Sequence, residues 1–80
     1  MDKLLEQARH SPQSLSFKEL QQLAEAAGFR LKRIRGSHHV YTRKGTAEIL
    51  NLQPKGRMAK PYQVRQVVGL IDKYNLLEEK

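Results

Sequence analysis

The sequence predicts an α+β layer fold: two helices, a three-stranded antiparallel sheet and a closing helix, with the helices packed on one face of the sheet. Three observations carry that prediction. Apolar residues recur at helical spacing from Phe17 to Ala27 and again from Val64 to Tyr74. Between those stretches, from Phe29 to Gln53, the period shortens to the alternation of strands. Glycine and proline mark the joints, at Pro12, Gly28, Gly36, Gly45 and Pro61. All 80 residues, 1–80, read as one domain with no room for a second core. A chain this short buries only about 60–65% of the surface its unfolded form exposes.

The elements follow in order. Asp2 is placed to cap a first helix running to about His10, with Leu4, Leu5 and Ala8 on one side. Ser11-Pro12 stops it, because the residue before proline is pushed away from helical angles. The second helix is the best specified. Ser16-Phe17-Lys18-Glu19 has the form of a capping box, and Leu15 and Leu20 occupy the two positions of a hydrophobic staple. Phe17, Leu20, Leu23, Ala24 and Ala27 form its buried face, leaving Gln21, Gln22 and Glu25 in solvent. Gly28 stands where a left-handed C-terminal cap belongs, with Phe29 folding back on Ala24.

Phe29-Arg30-Leu31-Lys32 alternates apolar and basic, and Arg33-Ile34-Arg35 repeats the alternation one position out of phase. A bulge near Lys32-Arg33 reconciles the halves. Gly36-Ser37 turns the chain into a second strand, His38 to Arg43; Lys44-Gly45 is a tight hairpin turn, and Thr46 to Leu52 a third strand. His38 and Val40 then share one face of the second strand, His39 and Tyr41 the other. Gln53 to Lys60 reads as a flexible basic loop, and Pro61 suits the first position of the last helix. Val64, Val67, Val68, Ile71 and Tyr74 make its packed stripe, with Gly69 marking close packing on the sheet. Asn75-Leu76-Leu77 ends the helix and Glu78-Glu79-Lys80 frays.

Charge and composition narrow the function. The formal net charge is +7 and the pI about 10.1, and between Arg30 and Arg65 the only acidic residue is Glu48. The middle of the chain is a local cation, the footprint of a nucleic-acid binder or of a partner for an acidic protein. Cysteine is absent, which removes disulfides, thiolate metal sites and cysteine nucleophiles. No apolar run approaches the ~20 residues of a membrane-spanning helix. The acidic residues in Met1-Asp2-Lys3-Leu4-Leu5-Glu6 do not suit a signal peptide, so a cytoplasmic protein is expected.

Within that cation, Gly36-Ser37-His38-His39-Val40-Tyr41 is the one place where groups that exchange protons near neutral pH sit side by side. The plain alternative is that both histidines are polar strand residues. Metal binding is disfavoured: adjacent histidines on a strand have poor bite, His10 is remote and no acid or cysteine assists, so neither metal nor cofactor is expected. Ser37 with His38 lacks the orienting acid of a serine hydrolase. RNA fits better. Its 2′-hydroxyl is a built-in nucleophile beside each phosphodiester, leaving the protein to move protons and stabilise the phosphorane.

Three blocks, Gly36 to Tyr41, Asn51-Leu52-Gln53-Pro54 and Ala59-Lys60-Pro61-Tyr62-Gln63-Val64-Arg65-Gln66, resemble the HicA family of type II toxin–antitoxin toxins, over about Ser16 to Tyr74. The resemblance implies a fold similar to a double-stranded-RNA-binding domain. It also implies an mRNA endonuclease dependent on a motif histidine, and a cognate HicB antitoxin that covers the site. Carried over, the catalytic residue is His38, with His39 in play because some relatives place the histidine one position later; Ser37 and His39 would shape the site. Arg35, Arg43, Lys55, Arg57 and Lys60 are the candidates for holding phosphate. An extra N-terminal helix and the Lys55-Gly56-Arg57-Met58 loop depart from the family pattern. The expected function is a metal-independent endoribonuclease toxin of the stress response. The rival is a non-catalytic RNA-binding module of the same fold, and a third reading is a basic adaptor for an acidic protein.

Overall fold

A computed structural model describes residues 1–77. Its order is α1 (Asp2–His10), a 3₁₀ turn at Pro12–Ser14, α2 (Phe17–Ala26), β1 (Arg30–Arg35), β2 (His38–Thr42) and β3 (Leu50–Leu52). A short hairpin of β4 (Pro54–Lys55) and β5 (Met58–Ala59) follows, and then α3 (Pro61–Tyr74). The three longer strands form an antiparallel sheet in the order β1-β2-β3. This is the expected α+β arrangement.

Both ends of α2 are fixed by the residues that predict them. Glu19 N–H donates to the Ser16 hydroxyl at 3.0 Å, and Ser16 N–H donates to the Glu19 carboxylate at 3.0 Å. At the other end Phe29 N–H donates to Ala24 C=O and Gly28 N–H to Glu25 C=O, each at 3.0 Å, which is a Schellman motif. Gly28 sits at φ +98°, and a Cβ there would meet Arg43 Nε at 2.7 Å. Leu15, Leu20, Leu23, Phe29, Tyr41, Leu50 and Leu52 are fully buried in one core between sheet and helices. Val64, Val67, Leu70 and Ile71 add the inner side of α3.

The bulge falls as expected: Leu31 pairs with Tyr41 and Arg33 with Val40, leaving Lys32 as the extra residue. Side chains paired across the ladder share a face, so His39, Tyr41, Leu50 and Leu52 look toward the helices while His38, Val40 and Asn51 look away. All six residues of β1 are exposed. Its apolar positions, Leu31 and Ile34, project on the helix side at the free edge of the sheet, beyond the cover of the core.

Several expectations need correction. Asp2 is the first helical residue and not the cap; Met1 holds the cap position without a side-chain bond. The third strand starts at Leu50, not Thr46. Thr46 bonds back to Arg43 C=O through its N–H and its hydroxyl, and Glu48 reaches α3, where Lys73 and Tyr74 donate to it at 2.8 and 2.7 Å. Both draw the chain off the ladder. Gln53 to Lys60 is not a flexible loop. Its hairpin is pinned to the start of α2, by Phe17 N–H to Arg57 C=O (2.8 Å) and Ala59 N–H to Leu15 C=O (3.0 Å). Gln21 is half-buried, donating to the Tyr41 hydroxyl at 3.1 Å. Gly69 is exposed, with open space where a Cβ would stand, so it does not mark close packing. Asn75 ends α3 in the left-handed conformation, φ 54°. The expected fraying of Glu78-Glu79-Lys80 lies outside the described residues.

Candidate functional site

The tight β1–β2 turn requires a left-handed residue, and Gly36 supplies it at φ +61°. The turn is closed by the Arg35–His38 pair. From there the pleat sends consecutive histidines to opposite faces. His38 faces away from the helices, beside Asn51. Its Nδ1 donates to Asn51 Oδ1 at 3.1 Å, while Gln53 Nε2 donates to His38 Nε2 at 3.4 Å and to Ser37 Oγ at 3.3 Å. Lys60 Nζ completes the network by donating to Gln53 Oε1 at 3.2 Å. Both ring nitrogens of His38 are therefore engaged by amides.

His39 faces the helices and meets the ring of Phe17 edge-on, with centroids 5.0 Å apart and planes inclined at 66°. Its Nδ1 lies 3.0 Å from the Ser37 carbonyl oxygen. A carbonyl can only accept, so Nδ1 carries the hydrogen and the neutral ring keeps its lone pair on Nε2. No hydrogen bond engages that Nε2 among the described residues. The ring lines a groove of ≈ 590 Å³ between the start of α2 and the β4–β5 hairpin, together with Phe17, Lys18, Gln21, Pro54 and Arg57. An imidazole with a free lone pair and two cations share one open groove, with no carboxylate lining it. Such a site suits an anion that needs a proton moved.

The phosphate candidates are scattered. Arg35 is exposed on the same face as His38, and Arg57 and Lys55 stand on the hairpin beside the groove. Lys60 is tied into the amide network. Arg43 lies at the far end of β2 from the histidines. Its guanidinium is spent on the chain itself, with Nε donating to Ala27 C=O at 2.8 Å and Nη1 to Lys44 C=O at 3.0 Å. In the sequence Lys18 figures only within the capping-box block, and nothing local to it points to the groove. Asn51 and Gln53 stand in a recognisable motif block, but their place around His38 follows only from strand register.

Gln63 holds the arrangement together. It is 3% exposed, and its amide copies a neighbouring strand: Oε1 accepts from Gln53 N–H at 3.0 Å and Nε2 donates to Asn51 C=O at 3.1 Å. The outer edge of β3 is thereby stitched to α3.

The sequence model of the HicA toxin of bacterial toxin–antitoxin systems matches residues 17–72, from the first residue of α2 nearly to the end of α3. The chain belongs to the HicA toxin family. As a HicA toxin it has an antitoxin for a partner. The match includes both histidines, the β4–β5 hairpin and Gln63, and leaves α1 outside. No curated protein and no solved structure matches significantly. Among the described residues of this HicA toxin, no helix is long and apolar enough to cross a membrane, and no group of three or more His, Cys, Asp or Glu is gathered to hold a metal ion.

Proposed function

We propose that this HicA toxin is a metal-independent endoribonuclease that cleaves mRNA in the cytoplasm, under the control of a HicB-type antitoxin. A histidine of the Ser37-His38-His39 motif serves as its proton shuttle. The observation that carries the reading is the free, tautomer-fixed Nε2 of His39 in a cationic groove. There the 2′-hydroxyl gives its proton to Nε2 as the 2′-oxygen attacks the adjacent phosphorus. The 2′-O–P bond forms and the P–O5′ bond breaks. The leaving 5′-oxygen takes a proton from the imidazolium or from water, leaving a 2′,3′-cyclic phosphate. Arg57 and Lys18, which line the same groove, offset the charge that builds on the phosphorane.

The family resemblance carries the catalytic role to His38. What supports His39 instead is that both nitrogens of His38 already have amide partners, whereas His39 Nε2 has none. His38, with Ser37, Asn51 and Gln53, then sets the turn that aims His39. The HicB-type antitoxin needs only to close the groove over His39 to silence the toxin, and an acidic one would be drawn to it by the +7 charge.

Cleavage of a labelled mRNA by wild type, His38→Ala and His39→Ala tests the assignment, alongside growth on induced expression. His39→Ala is expected to lose cleavage by at least about a hundredfold while still binding RNA, and His38→Ala to lose less. The reverse order returns the role to His38. Full cleavage by both variants would place the chemistry outside the histidine motif, and no cleavage by wild type would leave the non-catalytic RNA-binding module, which the basic face of Arg33 and Arg35 beside His38 favours.

A further inference from the structure

On the other side of the β4–β5 hairpin from His39 lies a second groove, of ≈ 540 Å³, lined by Pro54, Lys55, Lys60, Pro61 and Tyr62. Tyr62 is 58% exposed, on the outer face of α3 with Arg65, Gln66 and Gly69. Its hydroxyl accepts from Gln63 Nε2 at 3.2 Å, so the ring is tethered to the buried amide that fixes β3. The groove therefore offers a held aromatic face, two proline rings and two ammonium groups. That set matches one ligand chemistry: a flat apolar ring attached to an anion.

We infer that this groove is a nucleobase-stacking subsite, in which an unpaired base of the RNA lies against Tyr62 while Lys55 and Lys60 hold its flanking phosphates. The inference rests on the ribonuclease reading above and extends it to the class of RNA. Two links tie the subsite to the histidines. Pro54 lines both grooves, so they share the hairpin as a common wall. Lys60 donates to Gln53 Oε1, and the Nε2 of that same amide reaches Ser37 and His38. A strand crossing the hairpin would present one phosphate to His39 and a neighbouring base to Tyr62. Inside an A-form duplex each base is already stacked on its neighbours and offers no face, so the subsite selects single-stranded RNA. Every base has a π-face, so the sequence preference it imposes is weak.

The test uses a fluorescein-labelled single strand of 2′-O-methyl RNA, which the toxin cannot cleave, and a blunt duplex of the same sequence. Affinities are read by anisotropy for wild type, Tyr62→Ala, Tyr62→Leu and Tyr62→Phe. Because Tyr62 is exposed, these substitutions leave the core intact, which circular dichroism checks. The single strand is expected to bind Tyr62→Ala and Tyr62→Leu about tenfold more weakly. Tyr62→Phe keeps the aromatic face and loses only the tether to Gln63, so it should bind the single strand more tightly than Tyr62→Ala and no better than wild type, and duplex binding should be the same across the set. Unchanged single-strand affinity in Tyr62→Ala, or an equal loss for the duplex, overturns the subsite while leaving the ribonuclease reading in place. If wild type binds neither RNA, both fall. If Tyr62→Ala weakens only the antitoxin complex, the groove is a protein contact and the subsite is overturned.

Discussion

At the scale of single residues, much of the site depends on amides. Gln63 stands in for a fourth strand, its side chain accepting from the Gln53 N–H and donating to the Asn51 C=O. Gln63→Leu preserves bulk and removes both bonds, together with the one from Gln63 Nε2 to the Tyr62 hydroxyl, leaving the Gln53 N–H and the Asn51 C=O without this partner. The expected loss of stability is about 2–3 kcal/mol by urea denaturation. The same variant should also cut RNA cleavage, because the end of β3 carries Asn51 and Gln53 to His38. A variant as stable and active as wild type would show that water substitutes for the amide. The sequence did not announce Gln63: it falls at a position that the apolar stripe of α3 skips, and only the proximity of the β3 edge explains its burial.

At the scale of elements, legibility follows how local the physics is. The capping box at Ser16 and the Schellman motif at Gly28 are closed by residues within six positions of each other, and both read correctly from the chain. The bulge at Lys32 was visible as a slip in the alternation. The β4–β5 hairpin was not. Its strands are two residues long, and what orders them is bonding to Leu15 and Phe17, some forty positions away in the chain. The third strand was overextended for a similar reason, since Glu48 answers to Lys73 and Tyr74 and not to β2. The histidine motif was legible, and so was the split of its two rings onto opposite faces, but the partners of each ring were not, because Asn51, Gln53 and Phe17 arrive from other elements. Gly69 offers a check on α3: with open space at its Cβ position and a helical backbone, Gly69→Ala should stabilise by about 0.5–1 kcal/mol. A loss in the melting curve would mean that a neighbour occupies that space in solution.

At the scale of the whole molecule, two ion pairs tie distant parts of the chain to α3. Arg9 holds Asp72 in a bidentate bond at 2.8 and 2.6 Å, and Lys73 with Tyr74 holds Glu48. Hydrogen bonds from Lys73 and then Tyr74 lower the Glu48 carboxyl to about 2, and the bond from Arg9 lowers Asp72 below its ordinary value. Both folded-state values lie below those of the unfolded chain. Their contribution is therefore fully present above the unfolded value of about 4.3 for Glu48 and is lost as pH falls toward about 2. Glu48→Gln should lower stability at neutral pH and flatten the acid limb of the stability–pH curve in that window, so that variant and wild type converge as pH falls toward about 2. An unaltered acid limb would mean that the pair does not persist in solution.

Attack by the RNA's own 2′-hydroxyl, driven by proton transfer to the protein, is the central step proposed for this toxin, and the ends of the RNA fragments report on it directly. Mass spectrometry of an oligonucleotide cleaved in excess EDTA should find a 2′,3′-cyclic phosphate or its 3′-phosphate product on one fragment and a 5′-hydroxyl on the other. Fragments ending in 3′-hydroxyl and 5′-phosphate, or cleavage that stops in EDTA and returns with a divalent ion, would contradict it.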